Sequence, residues 1–400
     1  MEDITISNRN LARLETFAKQ IQYNWIEYDF FLEYLHDIFK KYIDMISTLE
    51  GQVKLNLLKN KEITFCLYEK INQAIGDCFK GNTLSAYHSM QEAISCLSDI
   101  LLRKSQKRHA TGSEFGFKAI VIGENGLTPT REYIFHIPFE KRYLVKSNRY
   151  SIPGVPSIYL GRSIYGCYME LGKPPLENFW VSLFTFSQDV NDIPDGGHLK
   201  LMDLTISYSS HKTWLLIHHA KADEKHFAIA LDQLVDDILL LPLIMSCSIA
   251  CKYPKEPFQQ EYIIPQIVYQ LCKDRNEFVG TKYSSTKLQN INPNIYPHVM
   301  DNFALPAHDI RKAGYCPKLS SQLVLTEPIT ISHSFDKEIR TDKSFSSHGL
   351  PILSNIHESL HNDKVIIELD KMTIYFDDLL NSFVKDKNTE LLRPLYGWHK

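Results

Sequence analysis

The sequence predicts an α+β protein that begins with an all-helical region, and three observations support this class. Apolar residues recur three and four positions apart through the first 108 residues, where glycine is scarce. Beyond residue 113 the pattern changes to short β-rich runs closed by turn residues. These runs mix with helical stretches without a regular strand–helix–strand alternation. An α+β sheet therefore fits better than a doubly wound parallel sheet.

The first 108 residues predict three or four amphipathic helices packed on one another. A basic, polar stretch at 103–112 ends this pattern and is typical of a linker. We therefore divide the chain into a helical N-terminal domain (1–108), a main domain (113–331) and a C-terminal extension (332–400). The apolar stripes comprise Trp25, Tyr28, Phe31, Leu32, Leu35, Ile38 and Phe39, then Leu67, Ile71, Ile75 and Phe79, then Ala93, Leu97, Ile100 and Leu101.

In the main domain and the extension, strands and helices are expected in a mixed order. The predicted strands are 118–122, 133–137, 157–160, 180–186, 199–203, 214–218 and, in the extension, 364–369. The predicted helices are 163–171, 225–241, 262–274 and 377–384.

Composition narrows the class of protein. The formal net charge is −3, so neither nucleic acid nor an anionic membrane is expected as the main partner. Eight cysteines are scattered without a CxxC pair, as expected for reduced thiols. The longest apolar run, 238–251, contains Pro242 and is shorter than the roughly 20 residues that span a bilayer. With no signal-peptide pattern at the start, we expect a cytoplasmic protein without a membrane segment.

Two segments carry the candidate chemistry. In 142–171 (RYLVKSNRYSIPGVPSIYLGRSIYGCYMEL), Arg149, Tyr159 and Glu170 are ten and then eleven residues apart. In 261–287 (EYIIPQIVYQLCKDRNEFVGTKYSSTK), Gly280, Tyr283 and Ser285 form a Gly-x-x-Tyr-x-Ser pattern.

Together these segments resemble the long form of the RES-domain family, over about residues 115–330. The resemblance implies an ADP-ribosyltransferase-like mixed sheet, NAD as a substrate rather than a bound cofactor, and a toxin that is often paired with an antitoxin. It implies Glu170, Arg149, Tyr159 and Ser285 as catalytic residues, with Arg142, His136, Tyr283 and Ser284 as substrate-binding residues. The chain departs from compact family members, which carry a further Arg near the first strand; here His136 and Arg142 occupy the matching region. The N-terminal helices lie outside the resemblance and are expected to contact an antitoxin or a second copy.

The chemistry of NAD explains why these residue types would be needed. An arginine can hold phosphate oxygens with two parallel charge-assisted hydrogen bonds. Cleavage of the glycosidic bond builds positive charge on the ribose, and a nearby carboxylate stabilises that charge. Nicotinamide leaves as a neutral molecule, so a second carboxylate acting as a general acid is not required. A tyrosine ring can stack on nicotinamide, and a serine hydroxyl can hydrogen-bond the amide or the ribose.

Alternatives remain open at this point. Either water or a protein could accept the ADP-ribose, which separates an NAD glycohydrolase from an ADP-ribosyltransferase. The segment 357–361 (HESLH) matches the H-E-x-x-H zinc pattern, so a metallopeptidase built on His357, Glu358 and His361 is a second hypothesis. The β-rich stretch at 364–369 leaves that motif only about two helical turns, so we predict no metal site. A binding module that has lost catalysis is the third hypothesis, and the presence of Glu170 disfavours it.

Overall fold

The computed structural model describes residues 8–21, 25, 27–106, 115–123, 127–186, 200–205, 224–275, 277–286, 299, 301–331, 352–355, 360, 362–385 and 393–394. Within these residues the α+β class is confirmed, because helices accompany a mixed sheet of eight strands. No helix in these ranges is both long and apolar enough to cross a membrane.

The N-terminal region contains six helices, more than the three or four that were predicted: α1 (Asn8–Ile21), α2 (Phe31–Thr48), α3 (Gly51–Lys59), α4 (Lys61–Phe79), α5 (Thr83–Cys96) and α6 (Ser98–Gln106). Most residues of the apolar stripes are buried as expected, with Leu35, Ile71 and Leu101 at most 1% exposed, whereas Phe79 is 37% exposed. Their side chains share one hydrophobic cluster with two later helices, α9 (Glu224–Cys247) and α10 (Ile263–Asp274). The three-part division of the chain stays a prediction, but its first two parts are joined by this common core.

The sheet follows the order β4-β5-β6-β2-β1-β3-β7-β8. Only β4 and β5 are parallel to each other; every other neighbouring pair is antiparallel. The strands are β1 (Phe115–Val121), β2 (Ser157–Gly161), β3 (Phe179–Phe186), β4 (Leu201–Leu204), β5 (Gly280–Ser284), β6 (Asp301–Pro306), β7 (Leu323–Leu325) and β8 (Arg393–Pro394). The long β1/β3 pair is rich in aromatic and β-branched residues, which suit a pleated, buried surface.

The remaining α-helices are α7 (Arg131–Ile134), α8 (Ile164–Glu170), α11 (Pro317–Gln322) and α12 (Lys364–Lys385). Short 3₁₀ helices lie at Phe139–Leu144, Leu176–Asn178, Gln260–Tyr262 and Leu353–Asn355. The predicted helices at 163–171, 225–241 and 262–274 are therefore confirmed as α8, α9 and α10, with small shifts at their ends.

Two predicted strands are wrong. Residues 133–137 begin inside the short helix α7, whose first turn is capped when the Tyr133 amide donates to the Thr130 hydroxyl. Residues 364–369 open the long helix α12, where the Asp363 carboxylate accepts from the amides of Val365 and Ile366.

The second prediction failed because the β-rich run 364–369 is also the start of a helical stripe of buried residues. Buried residues recur at Ile366, Leu369, Met372, Phe376 and Leu380, which matches the period of an α-helix. All but Ile366 belong to one cluster with side chains of β1, β3 and α8. The strand predicted at 214–218 lies outside the described residues.

Strands β5 and β6 were not predicted as strands, and a glycine makes their pairing possible. A Cβ atom on Gly280 would stand 2.4 Å from the Ala304 carbonyl oxygen and 2.6 Å from Leu305 Cδ2. Any larger residue would push β5 away from β6. The glycine of the Gly-x-x-Tyr-x-Ser pattern therefore allows the backbones of these two strands to lie close together.

Candidate active site

A cavity of about 310 Å³ lies beside β1, β2, β5 and β6 and the end of α8. Five of the eight predicted site residues line it: Arg149, Tyr159, Glu170, Tyr283 and Ser285. Its volume falls at the lower end of the range of small-molecule sites. Predicted residues up to 136 positions apart in sequence, Arg149 and Ser285, thus meet at one cavity.

Glu170 is placed by a short, firmly capped helix. At the start of α8 the Ser163 hydroxyl accepts from the Gly166 amide (2.8 Å) and donates to the Val299 carbonyl (3.1 Å). Just before this cap, Gly161 lets the helix approach β2, since a Cβ there would lie 2.7 Å from Cys167 Sγ. Glu170 is the last residue of α8 and reaches the cavity wall.

Two neutral donors orient the Glu170 carboxylate. The Ser285 hydroxyl donates to its Oε1 atom, and the Asn302 side-chain amide donates to the same oxygen over 3.2 Å. Ser285 directly follows β5, whereas Asn302 belongs to β6. The carboxylate therefore takes its orientation from two strands that pair with each other.

Arg149 is buried at 8% exposure and forms the cationic wall of the cavity. Its guanidinium donates to the carbonyl oxygens of Cys247 (3.1 Å) and Ile249 (2.7 Å) and to the Thr286 hydroxyl (3.3 Å). The Tyr262 ring lies below the guanidinium, 5.0 Å from ring centroid to Cζ. These hydrogen-bond partners carry no charge, so none of them balances the positive charge of the guanidinium, which can therefore attract an anion.

Four tyrosines surround these two charged groups. The rings of Tyr150 and Tyr283 face each other with centroids 4.2 Å apart, and Tyr159 lies on β2, which β6 separates from the strand of Tyr283. Burial raises the pKa of Tyr159 and Tyr283 well above the ordinary value, and it raises the pKa of Tyr262 to about 12. All four are neutral phenols near pH 7, and the three that line the cavity, Tyr159, Tyr262 and Tyr283, offer apolar ring surface to a ligand.

The other three predicted residues do not line the cavity. His136 is 1% exposed and both ring nitrogens are engaged: Nδ1 donates to the Ile137 carbonyl, and Nε2 accepts from the Cys316 amide. Its assignment to substrate binding is therefore corrected to a structural role. Arg142 is an exposed residue of a 3₁₀ helix that donates to the Phe139 carbonyl, and Ser284 ends β5 beside Ser285. Neither of these two side chains lines the cavity.

Several lining residues were not predicted, chiefly Asn302, Thr286 and Tyr262. Thr286 immediately follows the Ser284–Ser285 pair, so proximity in sequence could have indicated it. Nothing in the local sequence indicates Asn302, because it reaches Glu170 only through the pairing of β6 with β2 and β5.

No group of three or more His, Cys, Asp or Glu side chains that could hold a metal ion occurs among the described residues. The motif residues His357, Glu358 and His361 lie outside them.

Comparison with known proteins identifies a relative that is named as a toxin. The chain is 29% identical over 268 residues to "Putative toxin YopC" of Bacillus subtilis (strain 168). The match covers 64% of this chain and 55% of the relative, so the chain spans about half of that protein's length. No protein-family model and no solved structure matches the chain. The relationship therefore supports a family of toxins, and it does not single out the RES domain.

Proposed function

We propose that this protein is a toxin of the RES type that cleaves the nicotinamide–ribose bond of NAD and so depletes it. The observation that carries the proposal is the cavity that brings Arg149, Tyr159, Glu170 and Ser285 together. The name of the Bacillus relative adds support for the toxin class. No resident cofactor is required, because NAD itself is the substrate.

In the proposed complex, Arg149 binds the diphosphate of NAD. A buried guanidinium whose fork is already oriented by two carbonyl groups loses little conformational freedom when it meets an anion. Its neutral partners compete weakly with phosphate oxygens for the charge.

Glu170 stabilises the positive charge that develops on the ribose as the bond to nicotinamide breaks. The bonding electrons leave with nicotinamide, which departs neutral. Water then adds to the ribosyl cation and loses one proton, so the products are ADP-ribose, nicotinamide and a proton. Ser285 and Asn302 hold the carboxylate in place during this step, as their contacts with Oε1 indicate.

The aromatic walls suit the nicotinamide ring. Tyr159 and Tyr283 line the same cavity as Glu170, and both present largely buried rings on adjacent parts of the sheet. A flat cationic ring is favoured against such surfaces by stacking and by the negative face of the aromatic system.

We propose water rather than a protein as the acceptor. Known transferases of this fold commonly carry an acidic or polar residue two positions before the catalytic glutamate, where it orients a protein acceptor. That position is Tyr168, which is 9% exposed and packs edge-on against Phe179, with ring centroids 5.5 Å apart. A buried ring in this place supports hydrolysis.

The test uses NAD labelled in the adenosine moiety, incubated with the purified chain alone and then with cell lysate. We expect many turnovers and equal accumulation of free ADP-ribose and nicotinamide. Transfer of the label to one lysate protein, with little free ADP-ribose, would show that the acceptor is a protein. No release of nicotinamide in either reaction would refute the proposed cleavage. Binding of an antitoxin or a second copy by the N-terminal helices, and a cytoplasmic location, remain predictions.

A further inference from the structure

The orientation of Arg149 depends on a short segment that we call the carbonyl loop, residues 247–252. It runs from the last residue of α9 towards the 3₁₀ helix at Gln260–Tyr262. Its carbonyl groups at Cys247 and Ile249 accept both of the backbone hydrogen bonds of the guanidinium. A change in this loop would therefore change where Arg149 points.

The N-terminal region also contacts the carbonyl loop, through hydrogen bonds that do not involve Arg149. The Trp25 indole Nε1 donates to the Ala250 carbonyl over 2.9 Å. The Lys252 ammonium donates to the Tyr28 carbonyl over 2.7 Å and lies 5.1 Å from the centroid of the Trp25 ring. Residues about 225 positions apart are thus joined by two hydrogen bonds and a cation–π contact.

Trp25 is itself a rigid anchor. It is 3% exposed, and its ring meets the Phe31 ring edge-on with centroids 5.3 Å apart. The carbonyl of Ile249, which accepts from Arg149, belongs to the peptide unit that ends at Ala250. The two planar peptide units share the Cα atom of Ala250, so holding the Ala250 carbonyl anchors one end of the unit that carries the Ile249 carbonyl.

We infer that Trp25 is a positioning residue of the cavity, which fixes Arg149 for the anionic part of the substrate by way of the carbonyl loop. The inference rests on the proposed function for the identity of that substrate. It assigns the N-terminal region a part in completing the site, in addition to the contact with an antitoxin or a second copy that the sequence suggested.

The experiment compares two variants with a matched control in the full chain. Trp25→Phe keeps an aromatic ring but removes the indole donor. Lys252→Met removes the ammonium from the opposite side of the contact and provides an independent variant if Trp25→Phe folds poorly. The control is Tyr42→Phe, which also deletes a donor from the N-terminal region to a backbone carbonyl of α9, that of Ile238, but away from the carbonyl loop.

Two readouts separate positioning from a general loss of structure. The KM for NAD should rise on the order of fivefold in Trp25→Phe and Lys252→Met, as the loss of about one hydrogen bond implies, with kcat changed less than about twofold. Hydrogen–deuterium exchange of the amides in 247–252 should become faster in both variants. Tyr42→Phe should leave both readouts close to native.

A native KM in both loop variants, with unchanged exchange in 247–252, would overturn the inference. A loss of kcat at constant KM would also overturn it, because that result indicates less folded enzyme rather than a displaced Arg149. If the native chain neither binds nor cleaves NAD but exchange responds as expected, the proposed function fails while the hold of Trp25 on the loop is supported.

Discussion

Replacing Glu170 with glutamine removes the negative charge of the cavity while keeping the shape of the side chain. Both donors described above, the Ser285 hydroxyl and the Asn302 amide, meet one oxygen of the carboxylate. A glutamine carbonyl oxygen can accept from the same two groups. We therefore expect Glu170→Gln to fold and to unfold at a temperature close to that of the native chain.

The effect on the rate follows from the charge. A carboxylate about 4 Å from a unit positive charge, at an effective dielectric constant of about 20, contributes about 4 kcal/mol. That value corresponds to about a thousandfold in rate, and partial compensation by the amide dipole reduces it. We expect a loss of roughly 10²-fold or more in kcat, in line with the removal of one electrostatic stabiliser.

The assay is release of nicotinamide from NAD, measured by mass spectrometry at saturating substrate. Glu177→Gln is the matched control, because it removes an exposed carboxylate seven residues away that does not line the cavity. The control should retain full activity. A folded Glu170→Gln variant that cleaves NAD at more than a tenth of the native rate would refute the assignment.

Four further predictions concern a donor to Glu170, a buried histidine, the N-terminal region and metal dependence. Asn302→Ala should lower kcat about tenfold or more by releasing one donor from Glu170, whereas a fall in NAD affinity alone would contradict this role. Burial lowers the pKa of His136 to about 4, so the unfolded chain binds more protons than the folded chain between pH 4 and 6.5. The contribution of His136 to stability should therefore fall by about 3 kcal/mol as the pH drops through this window, and His136→Asn should remove that contribution in urea unfolding while leaving the one from His308, whose pKa burial also lowers to about 4. A chain that starts at residue 113 should aggregate or bind a hydrophobic dye, because α9 and α10 would lose the apolar partners they have in α2–α6; a soluble, active fragment would contradict this. Finally, a chelator should leave NAD cleavage intact, and loss of activity together with a bound zinc ion in His361→Ala would favour the metallopeptidase hypothesis.

The sequence was most informative where one local signal dominated. Helical periodicity located the N-terminal helices as well as α8, α9 and α10, because side-chain burial in a helix repeats within a few residues. Local β propensity misled the prediction at 364–369, where β-branched residues suggested a strand but the helical stripe that continues to Leu380 packs a helix against the sheet. Local propensity was overridden there by tertiary packing.

By itself, the sequence determined the α+β class and, through spacing and resemblance, five of the residues that line the cavity. The tertiary structure decided which of the remaining candidates belong there. It places His136 in a core where both ring nitrogens are engaged, and it brings Asn302 to Glu170 through the pairing of β6 with its neighbours. It also joins Trp25 to the loop that holds Arg149. Apart from the bond between His136 and Ile137, these contacts link residues 100 or more positions apart. No local pattern encodes them, because they arise only when distant strands and helices pack together.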